Sequence, residues 1–82
     1  MIVPTKIVKK ENDYEIAFMV FPIFLEDRTF YEFHLLKFSR SQTKTLKIKE
    51  YKPPLNAEEI AKEFGVKPED VKELLEKLGY KA

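Results

Sequence analysis

Residues 14–38, YEIAFMVFPIFLEDRTFYEFHLLKF, decide the fold. Two runs rich in aromatic and β-branched side chains flank the polar link Glu26-Asp27-Arg28. A link that short joins two strands only as an antiparallel hairpin. Neither run alternates cleanly between apolar and polar. Tyr31, Phe33 and Leu35 mark one face of the second run, Phe30, Leu36 and Phe38 the other, with Glu32 and His34 among them; Ala17 to Phe24 is apolar throughout. An antiparallel sheet with one solvated face alternates, so both faces of this sheet need cover. Pro22 has no N–H to give a ladder and is expected to bend or end its strand.

Working outward, runs near 3 to 10 and 43 to 51 have the same β-rich composition, joined through Glu11-Asn12-Asp13 and Ser39-Arg40-Ser41-Gln42. Four sequential strands therefore form an antiparallel meander. Pro53 and Pro54 close it, because a Pro-Pro step neither donates to a ladder nor continues a helix. Beyond them the apolar period changes from two to 3.6. Asn56 is a good N-cap with Glu59 three positions on, and Leu55 and Ile60 form a hydrophobic staple. Ala57, Ile60, Ala61 and Phe64 share one face before Gly65 reverses the chain. A second helix opens at Pro68, with Glu69 and Asp70 at its positive end. Val66 and Val71 repeat the staple. Val71, Leu74, Leu75 and Leu78 make one apolar stripe, and Gly79-Tyr80 fits a Schellman ending. The expected fold is α+β, one domain over residues 1–82, with the meander in 1–54 and a helical hairpin in 55–82.

Two short helices shield only one face of such a sheet, since each covers a strip about 10 Å wide. The other face needs a partner, and a homodimer through the sheet is the expected one. A strongly curled sheet wrapping its own core is the alternative.

Composition narrows the function classes. The chain has no cysteine, which excludes disulfides, thiolate metal sites and thiol catalysis. The longest apolar run, Ala17 to Leu25, is too short to cross a bilayer, and the first ten residues hold lysines rather than a signal core, so no membrane partner and a cytoplasmic location are expected. Charged residues make up 35% of the chain, rich in Lys and Glu, with one Gln and two Asn, a balance seen in proteins from hot environments. Net charge is only +1, but residues 1–55 carry ten Lys/Arg against seven Asp/Glu, whereas 56–82 carry five against seven. An anionic partner should prefer the strand half.

The helical pair over residues 57–78 resembles a helix-turn-helix. Ala61 stands where that family keeps a small residue, Gly65 makes the turn and Val71 packs the second helix, with Ile60, Val66 and Leu74 at the flanking apolar positions. The resemblance implies a DNA-binding transcriptional regulator whose second helix enters the major groove and offers Lys67, Pro68, Glu69, Lys72 and Glu73. Against this, positions 69, 70, 72, 73, 76 and 77 carry four acids and two bases, which repel phosphates. A sheet also stands where the family has a preceding helix.

Other cations gather in the strands and turns: Lys6, Lys9 and Lys10, then Arg40, Lys44, Lys47, Lys49 and Lys52. Lys47 and Lys49 alternate with Leu46 and Ile48 and so share a face. The hairpin tip from Ser39 to Lys44 offers hydroxyls and cations of the kind that hold phosphates in a winged hairpin. Lysines that blunt edge strands against aggregation explain the same residues.

Catalysis finds no apparatus. His34, the only histidine, lacks a second imidazole or thiol to complete a metal site. Glu26 and Asp27 are adjacent in a turn and diverge, and both glycines end helices rather than cradle phosphate. Tyr31 and Phe33 sit in a strand, where aromatics are core more often than stacking platforms. The expectation is therefore a small non-enzymatic protein associated with nucleic acid, with Arg40, Lys44, Lys47, Lys49, Lys67 and Lys72 as contacts. No catalytic residues, metal, cofactor or small-molecule substrate are expected. The alternative is a protein-interaction or assembly module, a homodimer or a subunit of a larger complex, without nucleic-acid binding.

Overall fold

A computed structural model describes residues 3–80. Strands β1 (Thr5–Lys10), β2 (Tyr14–Phe24), β3 (Thr29–Ser39) and β4 (Thr43–Tyr51) form one sheet in the order β1-β2-β3-β4, every neighbour antiparallel. Helices α1 (Ala57–Phe64) and α2 (Pro68–Leu78) follow. The meander and helical hairpin expected from the sequence are both present.

β2 runs through Pro22, which pairs with Tyr31, and continues to Phe24. Pro22 is expected to bend or end the strand; it does not end it, for a local reason. The Val20 N–H reaches past the start of β1 to the Pro4 carbonyl at 3.3 Å, and β1 pairs no further along β2 than Met19. Nitrogens two residues apart point the same way along a strand, so the Pro22 nitrogen points to the β1 side of β2 beyond the last pair among the described residues, where no ladder donor is used.

One sheet face and the two helices enclose the core. Phe18, Val20 and Phe33 from the sheet meet Ile60, Phe64, Val71 and Leu74 from the helices, all nearly inaccessible to solvent. Phe33 is at the centre. Its ring lies 5.5 Å from Phe18, 6.3 Å from Phe64 and 5.7 Å from Tyr51. The helices are set by their ends. Glu59 N–H donates to Asn56 Oδ1 at 2.9 Å. Gly65, at φ 71°, takes the left-handed conformation that lets α1 stop and the chain reverse. At the other end Tyr80 N–H donates to the Leu75 carbonyl, and the Tyr80 hydroxyl accepts from Leu55 N–H, both at 2.9 Å. Tyr80 thus ties the end of α2 to the start of α1.

The helices are shorter than the sheet they cover. Eleven residues of helix span about 16 Å, whereas eleven residues of strand span about 36 Å. Part of the helix-bearing face therefore extends beyond them, at the end carrying the two hairpin tips. Among the described residues no helix is long and apolar enough to cross a membrane.

Candidate interaction surfaces

Strand periodicity and pairing register fix what faces away from the helices. Ala17, Met19, Phe21 and Ile23 of β2 lie on that open face, flanked by Leu36, His34 and Phe30 of β3. Ile7 pairs with Ala17 on one side and Ile48 with His34 on the other. The two central strands pack on one another, while Ile7, Phe38, Leu46 and Ile48 are between 37% and 50% exposed. Both helices pack on the other face. Its middle holds one polar pair: His34 Nε2 donates to Glu32 Oε1 at 2.7 Å, and the imidazole tilts against Phe21 with ring centres 4.6 Å apart. Further charges lie toward the edges, Lys10 with Glu15 at 3.7 Å and Glu50 on β4 opposite Glu32.

The six residues expected to contact nucleic acid separate into two groups. Lys47 and Lys49 face the helices, opposite Leu35 and Phe33. Both are bound to Glu63 on α1, Lys49 at 2.9 Å and Lys47 through a hydrogen bond to the same carboxylate. Lys72 pairs with Glu58 at 3.6 Å across the two helices. Arg40, Lys44 and Lys67 are exposed and make no ion pair among the described residues. The lysine row of β4 is thus largely a clamp between sheet and helix, and the cations left open are those near the hairpin tip and the start of α2.

No family model, curated protein or solved structure matches the chain. Function has to come from these surfaces.

The clamp has a measurable signature. The hydrogen bond from Lys47, then that from Lys49, hold the Glu63 carboxyl down from its ordinary 4.5 to about 2. The same contact raises Lys49. Because Glu63 has a lower pKa folded than unfolded, its stabilisation is full above the ordinary carboxylate range and is lost as pH falls toward 2. Thermal stability of the wild type is expected to drop between about pH 5 and pH 2, and Glu63→Gln should be less stable at neutral pH with a flatter profile through that window. A melting series by circular dichroism checks this. A Glu63→Gln profile parallel to wild type would show that the clamp contributes nothing. Glu73, also held low by a hydrogen bond from Lys6, keeps its own share of the pH dependence in both proteins.

A second cluster was not singled out in the sequence. The Tyr14 ring carries the Lys37 ammonium 4.5 Å from its centre and that of Lys9 at 5.9 Å. Lys37 stands directly opposite Lys44 in the β3–β4 ladder. Lys37 is hidden in sequence by its aromatic strand. The available signal was its parity with Tyr31, Phe33 and Leu35, which places it on the helix side but past the end of the helices.

Proposed function

We propose that this chain is a small self-associating interaction module, a homodimer formed face to face through the open side of the sheet, with the cytoplasm as its expected compartment. The observation that carries the reading is the apolar face opposite the helices, where Leu46 and Ile48 are exposed and Met19, Phe21 and Leu36 are half-buried. Contiguous apolar surface of this kind marks an interaction site.

Three features favour a second copy as the occupant. With strands about 4.8 Å apart and a rise of about 3.3 Å per residue, nine residues of four strands give a projected footprint of about 570 Å². Side chains standing on that plane raise the accessible area toward the roughly 800 Å² per partner of a stable interface. Around the central His34–Glu32 pair the face is largely apolar, with Lys10, Glu15 and Glu50 toward its edges, an anatomy common in interfaces. Lysines on both edge strands, Lys6, Lys9 and Lys10 on β1 and Lys44, Lys47 and Lys49 on β4, discourage edge-to-edge pairing, which leaves the face as the route of association.

Sedimentation equilibrium tests this. The chain of 9.7 kDa is expected to run at twice that mass at micromolar concentration and to dissociate on dilution. A single species of chain mass up to millimolar concentration would refute the proposal.

A further inference from the structure

We propose that the corner formed by Tyr14, Lys9, Lys37, Lys44 and Lys67 binds the phosphodiester backbone of a nucleic acid. This site lies on the helix side of the sheet and is independent of the self-association proposed above.

The topology gathers the corner. A meander sends its first and third turns to the same end, so residues 11–13 and 40–42 are neighbours in space. The turn between the helices lies over the same end, because Gly65 and Lys67 share a groove with Lys9 and Ile16. Beyond that groove the strands continue without helical cover, and Tyr14, Lys37 and Lys44 line a second, smaller groove with Ser39.

The chemistry differs from the rest of the surface. Several lysines elsewhere are neutralised by carboxylates, Lys6 by Glu73, Lys47 and Lys49 by Glu63 and Lys72 by Glu58, and Arg28 lies over the Phe30 ring at the other end of the sheet without a second cation on that ring. At the corner Lys9 and Lys37 are instead held by the face of an aromatic ring. A cation–π contact orders an ammonium without cancelling its charge. Lys37 and Lys44 are moreover directly opposite each other in the ladder, and like charges so placed destabilise a sheet. An anion between them removes that cost. Asp13 and Asp70 line the two grooves and Glu11 lies in the first turn. Against these three acids stand five cations, Lys9, Lys37, Arg40, Lys44 and Lys67. Separate ammonium groups along a concave strip match repeated phosphates better than one compact anion. Contacts of this kind position a backbone and carry no base sequence.

The test is fluorescence anisotropy of the full chain with a labelled 25-base-pair DNA duplex and with one of its single strands, over a range of salt. Four phosphate contacts give a log–log salt slope of about −3.6 on duplex, so affinity should fall about 150-fold between about 50 and 200 mM salt. Lys37→Ala/Lys44→Ala should reduce that slope by about two, and Lys37→Arg/Lys44→Arg should restore it. The control is Arg28→Ala/Lys52→Ala, which removes the same charge at the opposite end of the sheet, where these two residues share a groove. It should leave affinity within about twofold. Preference for duplex or for single strand identifies which form the corner accepts. Absence of binding to both, or equal loss in the two alanine pairs, would overturn the proposal.

Discussion

Leu46→Lys/Ile48→Lys is expected to convert the protein from dimer to monomer, weakening self-association by at least about a thousandfold. Leu46 and Ile48 are 43% and 50% exposed and lie on β4 facing away from the helices, so lysine at either position reaches water in a single chain and leaves the core untouched. In a face-to-face dimer each substitution occurs twice. Loss of a large buried apolar side chain costs about 1.5–3 kcal/mol, and like charges brought together across an interface add several kcal/mol. The four side chains lost from a symmetric interface, about 6–12 kcal/mol at that rate, exceed the about 4 kcal/mol that a thousandfold change requires. Sedimentation equilibrium reads the effect, and the far-ultraviolet circular dichroism spectrum should be unchanged. A double variant that still dimerises at wild-type concentrations would place the contact elsewhere.

Phe33→Ala is expected to remove a large part of the stability of the fold. Its side chain is fully buried and its ring contacts Phe18, Phe64 and Tyr51, which come from β2, α1 and β4. It therefore joins three strands to a helix. Truncating such a residue costs about 3–5 kcal/mol, whereas a chain of 82 residues has about 4–12 kcal/mol in total. The urea midpoint should fall by a third or more of its wild-type value. Phe24→Ala removes the same ring from a position 71% exposed and should shift stability by no more than about 0.5 kcal/mol. Equal effects at the two positions would contradict the assignment of the core.

The contrast between these phenylalanines shows what was legible in the sequence. Short polar links dictated hairpins, and Asn56, Gly65, Pro68 and Gly79 marked helix ends through local chemistry that no distant contact overrides. The excess of apolar faces was also visible, because Phe30 and Leu36 break the alternation that a half-solvated strand keeps. Features set by distant pairing were hidden. Pro22 lies beyond the last β1 pair among the described residues, which depends on register across a turn. The shift between Leu35 and Leu36 against β4 leaves no trace in composition. Lys47 and Lys49 read as free cations until α1, some fifteen residues on, brings Glu63 above them. Conversely, nothing in the sequence singles out Lys37, because its partners Tyr14 and Lys44 belong to the two neighbouring strands. Which lysines stay charged toward solvent is a property of the packed layers, and a linear count of charges cannot supply it.

The open face is most directly tested by isotope-filtered nuclear Overhauser spectroscopy on an equimolar mixture of ¹³C-labelled and unlabelled chains. Intermolecular cross-peaks are expected from the methyl groups of Met19, Leu36 and Ile48, and none from Val20, Val71 or Leu74 beneath the helices. Intermolecular peaks confined to helix residues, or none at concentrations where the wild type is fully folded, would contradict a dimer built on the uncovered side of the sheet.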